Sequence, residues 1–96
     1  MKNREYRRSI DIIADILRIC KKGSKKTRTM YLANLSFEQL KKYLELLINK
    51  KLLEYDSIEK KYKTTNKGLE FLRVYFDVKE EEKVYLKRMN ALKKFI

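Results

Sequence analysis

The residues able to do chemistry in this chain are cations and hydrogen-bond donors, not nucleophiles or metal ligands. Five of the eight positions from 21 to 28 are basic: Lys21, Lys22, Lys25, Lys26 and Arg28. A run of this kind can hold a phosphodiester backbone by charge. Ser36, Gln39, Lys41, Lys42 and Tyr43 follow, and Gln39, Lys42 and Tyr43 are spaced to reach base edges from one half of a helix. For those three the competing reading is solvation of the helix or, for Tyr43, packing at the core margin. A third group, Lys60, Lys61 and Lys63, lies further on.

Catalysis has little to work with. Histidine is absent and Cys20 is the sole cysteine, so the common zinc sites cannot be built and no intrachain disulfide can form. Cys20 falls on an apolar helical stripe and reads as core packing. Glu80, Glu81 and Glu82 have no acid partner that the sequence places, and no glycine-rich phosphate loop exists. The expectation is a protein that is not an enzyme, with no metal, cofactor or small-molecule substrate. The 25 Lys and Arg against 13 Asp and Glu leave a net charge of +12, which calls for a polyanionic partner. Nucleic acid comes first and an anionic membrane surface second. No targeting motif is visible and no run approaches the ~18 apolar residues of a membrane span, so a cytoplasmic protein is expected, nucleoid-associated if its polyanion is DNA.

These groups must be positioned by a single small domain, since 96 residues suffice for one core and not two. With two glycines and no proline, long helices are favoured. Residues 4–20 make a first helix with Ile10, Ile13, Leu17 and Cys20 inward, widened by Ile12 and Ile16. Arg4, Arg7, Arg8 and Arg18 fall off that stripe and suit either phosphate contact or solvent. Gly23 is placed to cap the helix. Thr27 to Ala33 and Ser36 to Lys50 form a helix-turn-helix around Asn34-Leu35-Ser36. Ser36 and Gln39 have the spacing of a capping box. Phe37, Leu40, Leu44, Leu47 and Ile48 make the inner face of the second helix. Leu52–Asp56 and Lys61–Thr64 read as a hairpin with Lys60 at its tip. Such a hairpin is marginal alone and must pack on the helices, with a third short strand near Lys26–Arg28.

Thr65 or Asn66 can cap a last helix running to about residue 95. Leu69, Leu72 and Phe76 form one stripe, assigned to the domain core. Phe71, Tyr75, Val78, Glu82, Tyr85, Met89, Leu92 and Ile96 form a second, alternating steps of four and three as a heptad seam does. A rod of roughly 45 Å outruns a domain this small, and its far half leaves an apolar face that a second copy can cover. The expected fold class is mainly α with a small β-hairpin. Residues 1–76 would form a winged helix-turn-helix, and 77–96 would continue the helix as a dimerising coiled coil.

The segment TRTMYLANLSFEQLKKYLELLINKKLLE, the strand containing Tyr62, and Thr65-Asn66-Lys67-Gly68 resemble the archaeal winged-helix DNA-binding family. Its best-known members are the ten-kilodalton "a"-type chromatin-associated proteins of crenarchaea. The match spans residues 8–96 and is densest at Met30-Tyr31, Ala33-Asn34-Leu35-Ser36 and Tyr43-Leu44. The resemblance implies a homodimer joined by an antiparallel coiled coil, with a winged helix at each end binding double-stranded DNA. Two positions depart from the family pattern. Lys51 stands where glycine is usual, at a cost of about 1 kcal/mol if the backbone is left-handed, and Thr64 replaces an apolar residue. The leading reading is a dimeric, architectural binder of low sequence specificity. A sequence-specific transcription regulator and an interaction module of the transcription machinery are the alternatives.

Overall fold

The computed structural model describes residues 8–96. In order it forms α1 (Ser9–Ile19), α2 (Lys26–Ala33), α3 (Phe37–Asn49), β1 (Leu53–Asp56), β2 (Lys61–Thr64) and α4 (Asn66–Leu92), closing in a 3-10 turn at Lys93–Phe95. Each break has a local cause. Beyond α1, Gly23 takes a φ of 97° and its amide bonds to the Cys20 carbonyl at 3.1 Å. Asn34 closes α2 in the left-handed region, which asparagine tolerates better than most residues. The Gln39 amide donates to Ser36 Oγ at 3.1 Å and the Ser36 amide to Gln39 Oε1 at 3.0 Å, completing the expected capping box. Lys51 is left-handed at φ 66°, so the strain attached to its missing glycine is present. At the start of α4 it is Thr65, not Asn66, that caps: its hydroxyl accepts from the Gly68 amide at 3.1 Å and donates to Lys51 O at 2.6 Å.

The core is one cluster. Ala14, Ile16, Leu17 and Cys20 of the first helical segment meet Ala33, the α3 residues Leu40, Leu44 and Leu47, and Leu53 and Leu72. Cys20 is fully buried, and desolvation pushes its thiol above its ordinary value. Thr64 seats where an apolar residue was expected because its hydroxyl donates to Leu17 O at 2.6 Å, leaving its methyl for packing. Strands β1 and β2 pair antiparallel from Leu53 opposite Thr64 to Asp56 opposite Lys61. The third strand expected near Lys26–Arg28 does not form, because those residues are already wound into the first turn of α2. In its place stands a single bridge two residues earlier, Ser24 with Tyr62, whose two amide bonds measure 2.9 and 2.8 Å.

Helix α4 is rotated from the expected setting. Leu69 and Phe76, assigned to the core, are exposed, and only Leu72 of that stripe is buried. Phe71 and Tyr75, assigned to the intermolecular seam, pack half-buried against their own core. Gly68 supplies the reason: a Cβ there would lie 2.4 Å from Leu52 O and 2.5 Å from Thr64 Cγ2. The helix backbone can approach the hairpin base only at glycine, and that approach turns Phe71, Leu72, Tyr75 and Lys79 toward α1. Tyr75 then donates to Asp11 Oδ1 at 2.5 Å, and Lys79 Nζ lies 3.2 Å from the same oxygen. Ile10, expected inward, instead lines an apolar groove of about 440 Å³ with Phe71, Val74, Tyr75 and Val78. Phe37 is also turned out, its ring 4.5 Å beneath Lys26 Nζ. Among the described residues every position from 83 to 96 is exposed, and the helix runs through Asp77–Glu82 without the turn that folding back would need. The projecting half stretches the molecule to 61 Å in its long dimension against 28 and 19 Å.

Candidate nucleic-acid interface

The basic groups expected to hold phosphate converge on a concavity of about 630 Å³ between the end of α1, the start of α2 and the start of β2. Lys21, Lys22, Lys25 and Arg28 line it as expected, and Lys61 joins them from the hairpin. Arg18, left open between phosphate and solvent, also reaches its wall. Among the described residues two acids touch these cations: Asp15 at 3.3 Å from Arg18, and Glu59 at 3.9 Å from Lys61. Lys61 folds its alkyl stem over Gly23, where an added Cβ would meet its Cδ at 3.4 Å.

What fixes this concavity is a buried hydroxyl pair that sequence reasoning missed. Thr29 Oγ1 lies 2.7 Å from Ser24 Oγ and 2.8 Å from Lys25 O. Ser24 is simultaneously bridged to Tyr62, so the basic loop, α2 and the hairpin are tied at one point. Arg28 reaches back to Ser24 Oγ at 3.4 Å, which holds its guanidinium at the rim. Tyr62 is braced in turn by the Tyr55 ring at 4.7 Å, and burial raises its hydroxyl above the ordinary value. A signal existed in the run Ser24-Lys25-Lys26-Thr27-Arg28-Thr29: on a short helix Thr29 faces inward opposite Arg28, and a buried threonine needs a partner.

The outer side of α3 is different in kind. Ser36, Gln39, Lys41 and Lys42 share a shallow depression of about 590 Å³ with Glu38 and Glu45. Gln39 keeps its amide NH₂ for an outside acceptor, its carbonyl being spent on the cap. Tyr43 does not belong to this surface. It is half-buried against the core, and its hydroxyl lies 3.2 Å from Ser9 Oγ on α1, so the core-margin reading holds for it. Lys26 likewise leaves the basic cluster for the Phe37 ring. Lys60 and Lys63 are exposed on the hairpin, with Lys60 left-handed at φ 59°. Arg4 and Arg7 lie outside the described residues.

Among the described residues no group of three His, Cys, Asp or Glu is placed to hold a metal ion, and no helix is long and apolar enough to cross a membrane. The arrangement is a cationic flank beside a capped helix whose outer face carries mixed donors and acceptors.

Comparison with known proteins finds the same fold elsewhere. The chain is 38% identical over 69 residues to an uncharacterized protein of Methanocaldococcus jannaschii, covering 70% of this chain and 69% of that one. Its fold matches the crystal structure of Sso10a-2, a DNA-binding protein from Sulfolobus solfataricus. That match has a TM-score of 0.76 and 26% identity over 91% of this chain and 95% of that one. The sequence pattern of the winged helix-turn-helix family matches residues 6–83, taking in α1, the helix pair, the hairpin and most of α4. With helix pair, hairpin and long terminal helix in that order, the chain belongs to the winged helix-turn-helix family.

Proposed function

We propose that this protein binds double-stranded DNA as a homodimer, in an architectural role with little sequence preference and no catalytic step. The observation that carries this reading is the contrast between the two parts of the interface. Six cations meet in the concavity with two acids near them, whereas α3 offers Lys41 and Lys42 beside Glu38 and Glu45. Glutamates facing a groove repel phosphate and accept hydrogen bonds from few bases, so α3 contributes fit while the flank contributes grip. Helix α3 would lie in the major groove, Lys60 and Lys63 would follow the backbone, and the protein would reside on the nucleoid. The likeness to Sso10a-2 supports the same reading.

Dimerisation through residues 77–96 is part of the proposal, because the far half of α4 exposes Tyr85, Leu86, Met89, Leu92 and Phe95. The heptad positions favour an antiparallel pair. That order sets Phe71 against the partner subunit's Ile96, Val78 against the partner's Met89, and Glu82 against the partner's Tyr85. On the flanks Glu81 faces the partner's Arg88, twice by symmetry. A parallel pair would oppose two copies of Glu82 and bring Arg88 near the partner's Lys93, both repulsive. Phe71 and Tyr75 then serve both packings, half covered by their own domain and completed by the partner.

The deciding experiment is competition binding of random duplexes against a selected-sequence pool at several salt concentrations. A specificity ratio near unity supports the architectural role, and a ratio above ~10³ would replace it with regulation. Replacing Lys25, Arg28 and Lys61 by alanine is expected to weaken all duplexes alike and to flatten the salt dependence, by about 0.9 in log–log slope per lost phosphate contact. Lys26→Ala is expected to leave that slope unchanged, since its ammonium sits on Phe37.

A further inference from the structure

We infer that Ile58, at the tip of the β1–β2 hairpin, is a wedge that enters the minor groove and unstacks a base step, so that this protein bends the DNA it binds. The inference rests on the DNA-binding reading above and adds a residue and a deformation to it. Ile58 is 89% exposed, more than any other described apolar side chain apart from Ile96 in the last residue. A single exposed isoleucine is ordinary; its setting is not. Turns favour Gly, Asn, Asp, Ser and Pro, and a β-branched residue brings nothing to one.

The tip is also built to hold that side chain still. Asp56 Oδ1 accepts the amides of Ile58 at 2.9 Å and Glu59 at 3.2 Å, and the Lys60 amide bonds to Asp56 O at 2.6 Å. Lys60 takes the left-handed conformation that closes the turn. The amides of Ile58, Glu59 and Lys60 are thus used internally, and Ile58 is left pointing outward with one stiff χ1. Behind the tip, the Tyr55–Tyr62 ring contact and the Ser24 bridge join the hairpin to the cationic concavity. Lys60 and Lys63 flank the tip, and Glu59 is paired with Lys61 at 3.9 Å.

The partner fitted by a rigid apolar point on a basic ribbon is the floor of a minor groove, about 6 Å wide, where β-ribbon proteins insert isoleucine and similar side chains between base pairs. A phosphate contact at the tip would fall to Lys60 and leave the Ile58 side chain without a role, and a second protein would need an apolar patch around Ile58 rather than Ser57, Glu59 and Lys60.

The test uses the full chain and a duplex carrying end-labelled dyes and internal 2-aminopurine. Wild type is expected to shorten the end-to-end distance, with a bend in the roughly 20–90° range of wedge proteins, and to raise 2-aminopurine fluorescence. Ile58→Ser is expected to abolish the fluorescence rise and most of the bend, with affinity falling less than about tenfold and the salt slope unchanged, because no phosphate contact is lost. Ile58→Leu is expected to retain both signals. Saturated wild-type complexes with neither bend nor fluorescence change would overturn the wedge while leaving DNA binding intact, as would Ile58→Ser complexes bent like wild type. Wild type that binds no duplex at low salt would overturn both readings.

Discussion

The two halves of α4 carry one repeating pattern and meet opposite fates. From Gly68 to Lys79 the helix lies against α1 and the hairpin base: Leu72 is buried, and Phe71 and Tyr75 are half covered. From 83 onward the same alternation of apolar positions continues with every residue exposed. Intrinsic helix propensity does not separate them, and the break in cover comes beyond Arg8 and the first turn of α1, where Glu82 makes the last ion pair of α4 to that helix among the described residues. Packing in the near half is settled within one chain and contributes to folding. Packing in the far half is left, in the proposed dimer, to a second copy, and would contribute to assembly. Substitutions in the two halves should therefore differ in whether their effect depends on protein concentration.

The largest contrast is expected from charge. Tyr85→Glu, Met89→Glu and Leu92→Glu together should give a folded monomer, since three carboxylates on an apolar seam cannot be buried unpaired. Sedimentation equilibrium is the measurement, and dimers persisting at micromolar concentration would remove the coiled coil from the proposal. In the near half, Leu72→Ala should instead cost about 2–5 kcal/mol of domain stability through the cavity it leaves. Urea melts should then show a lowered midpoint that does not move with protein concentration. A concentration-dependent midpoint shift for Leu72→Ala would mean that the two halves are not separable.

Acid should act on the near half through Asp11. The Tyr75 hydroxyl bond, aided by Arg8 and Lys79, holds the Asp11 carboxyl down at about 2 against an ordinary 3.8. Ionised Asp11 thus stabilises the fold fully above the ordinary value, and that contribution is lost as pH falls from about 4 toward 2. The size is roughly 1–2 kcal/mol after screening, given 1.36 kcal/mol per pH unit. Asp11→Asn should flatten stability across this window relative to wild type. Equal acid sensitivity in both proteins would detach Asp11 from the linkage.

How much of this was legible in the sequence depended on how far apart the partners lie. The capping box of Ser36 and Gln39 spans three residues and follows from spacing alone, whereas the left-handed setting of Lys51 stayed open, because a lysine standing in place of the usual glycine does not itself fix φ. The cationic flank was legible as a charge run. That Lys61 joins it depends on the Ser24–Tyr62 bridge across 38 residues of chain, and that Lys26 leaves it depends on the Phe37 ring across the helix turn. Tyr43 was assigned to the DNA surface because helical periodicity sets it on the flank of α3. Its partner Ser9, 34 residues away, is visible only in the fold. The rotation of α4 was hidden for a related reason. Two overlapping apolar stripes were available, and the choice between them was made by the closeness of Gly68 to Leu52 O, a backbone contact that leaves no hydrophobic signature.

The smallest expected effect separates the two halves most cleanly, because it compares one chemical change at two positions of one seam. Tyr75 and Tyr85 both occupy heptad positions. Tyr75 donates to Asp11 within its own chain, whereas Tyr85 is exposed and, in the proposed dimer, faces the partner subunit's Glu82. Removing the hydroxyl from Tyr75 strands a carboxylate that still keeps Lys79 at 3.2 Å and Arg8 at 3.2 Å, so the loss should be about 1–2 kcal/mol, the value of a hydrogen bond to a charged group. It should appear in the unfolding of the domain at any protein concentration. Tyr85→Phe should cost under about 1 kcal/mol, as exposed polar contacts do, and should appear only in the dimer dissociation constant. If Tyr85→Phe lowered monomer stability as much as Tyr75→Phe, the far half of α4 would have to be packed against its own domain in solution. The seam beyond residue 83 would then belong to the fold and not to assembly.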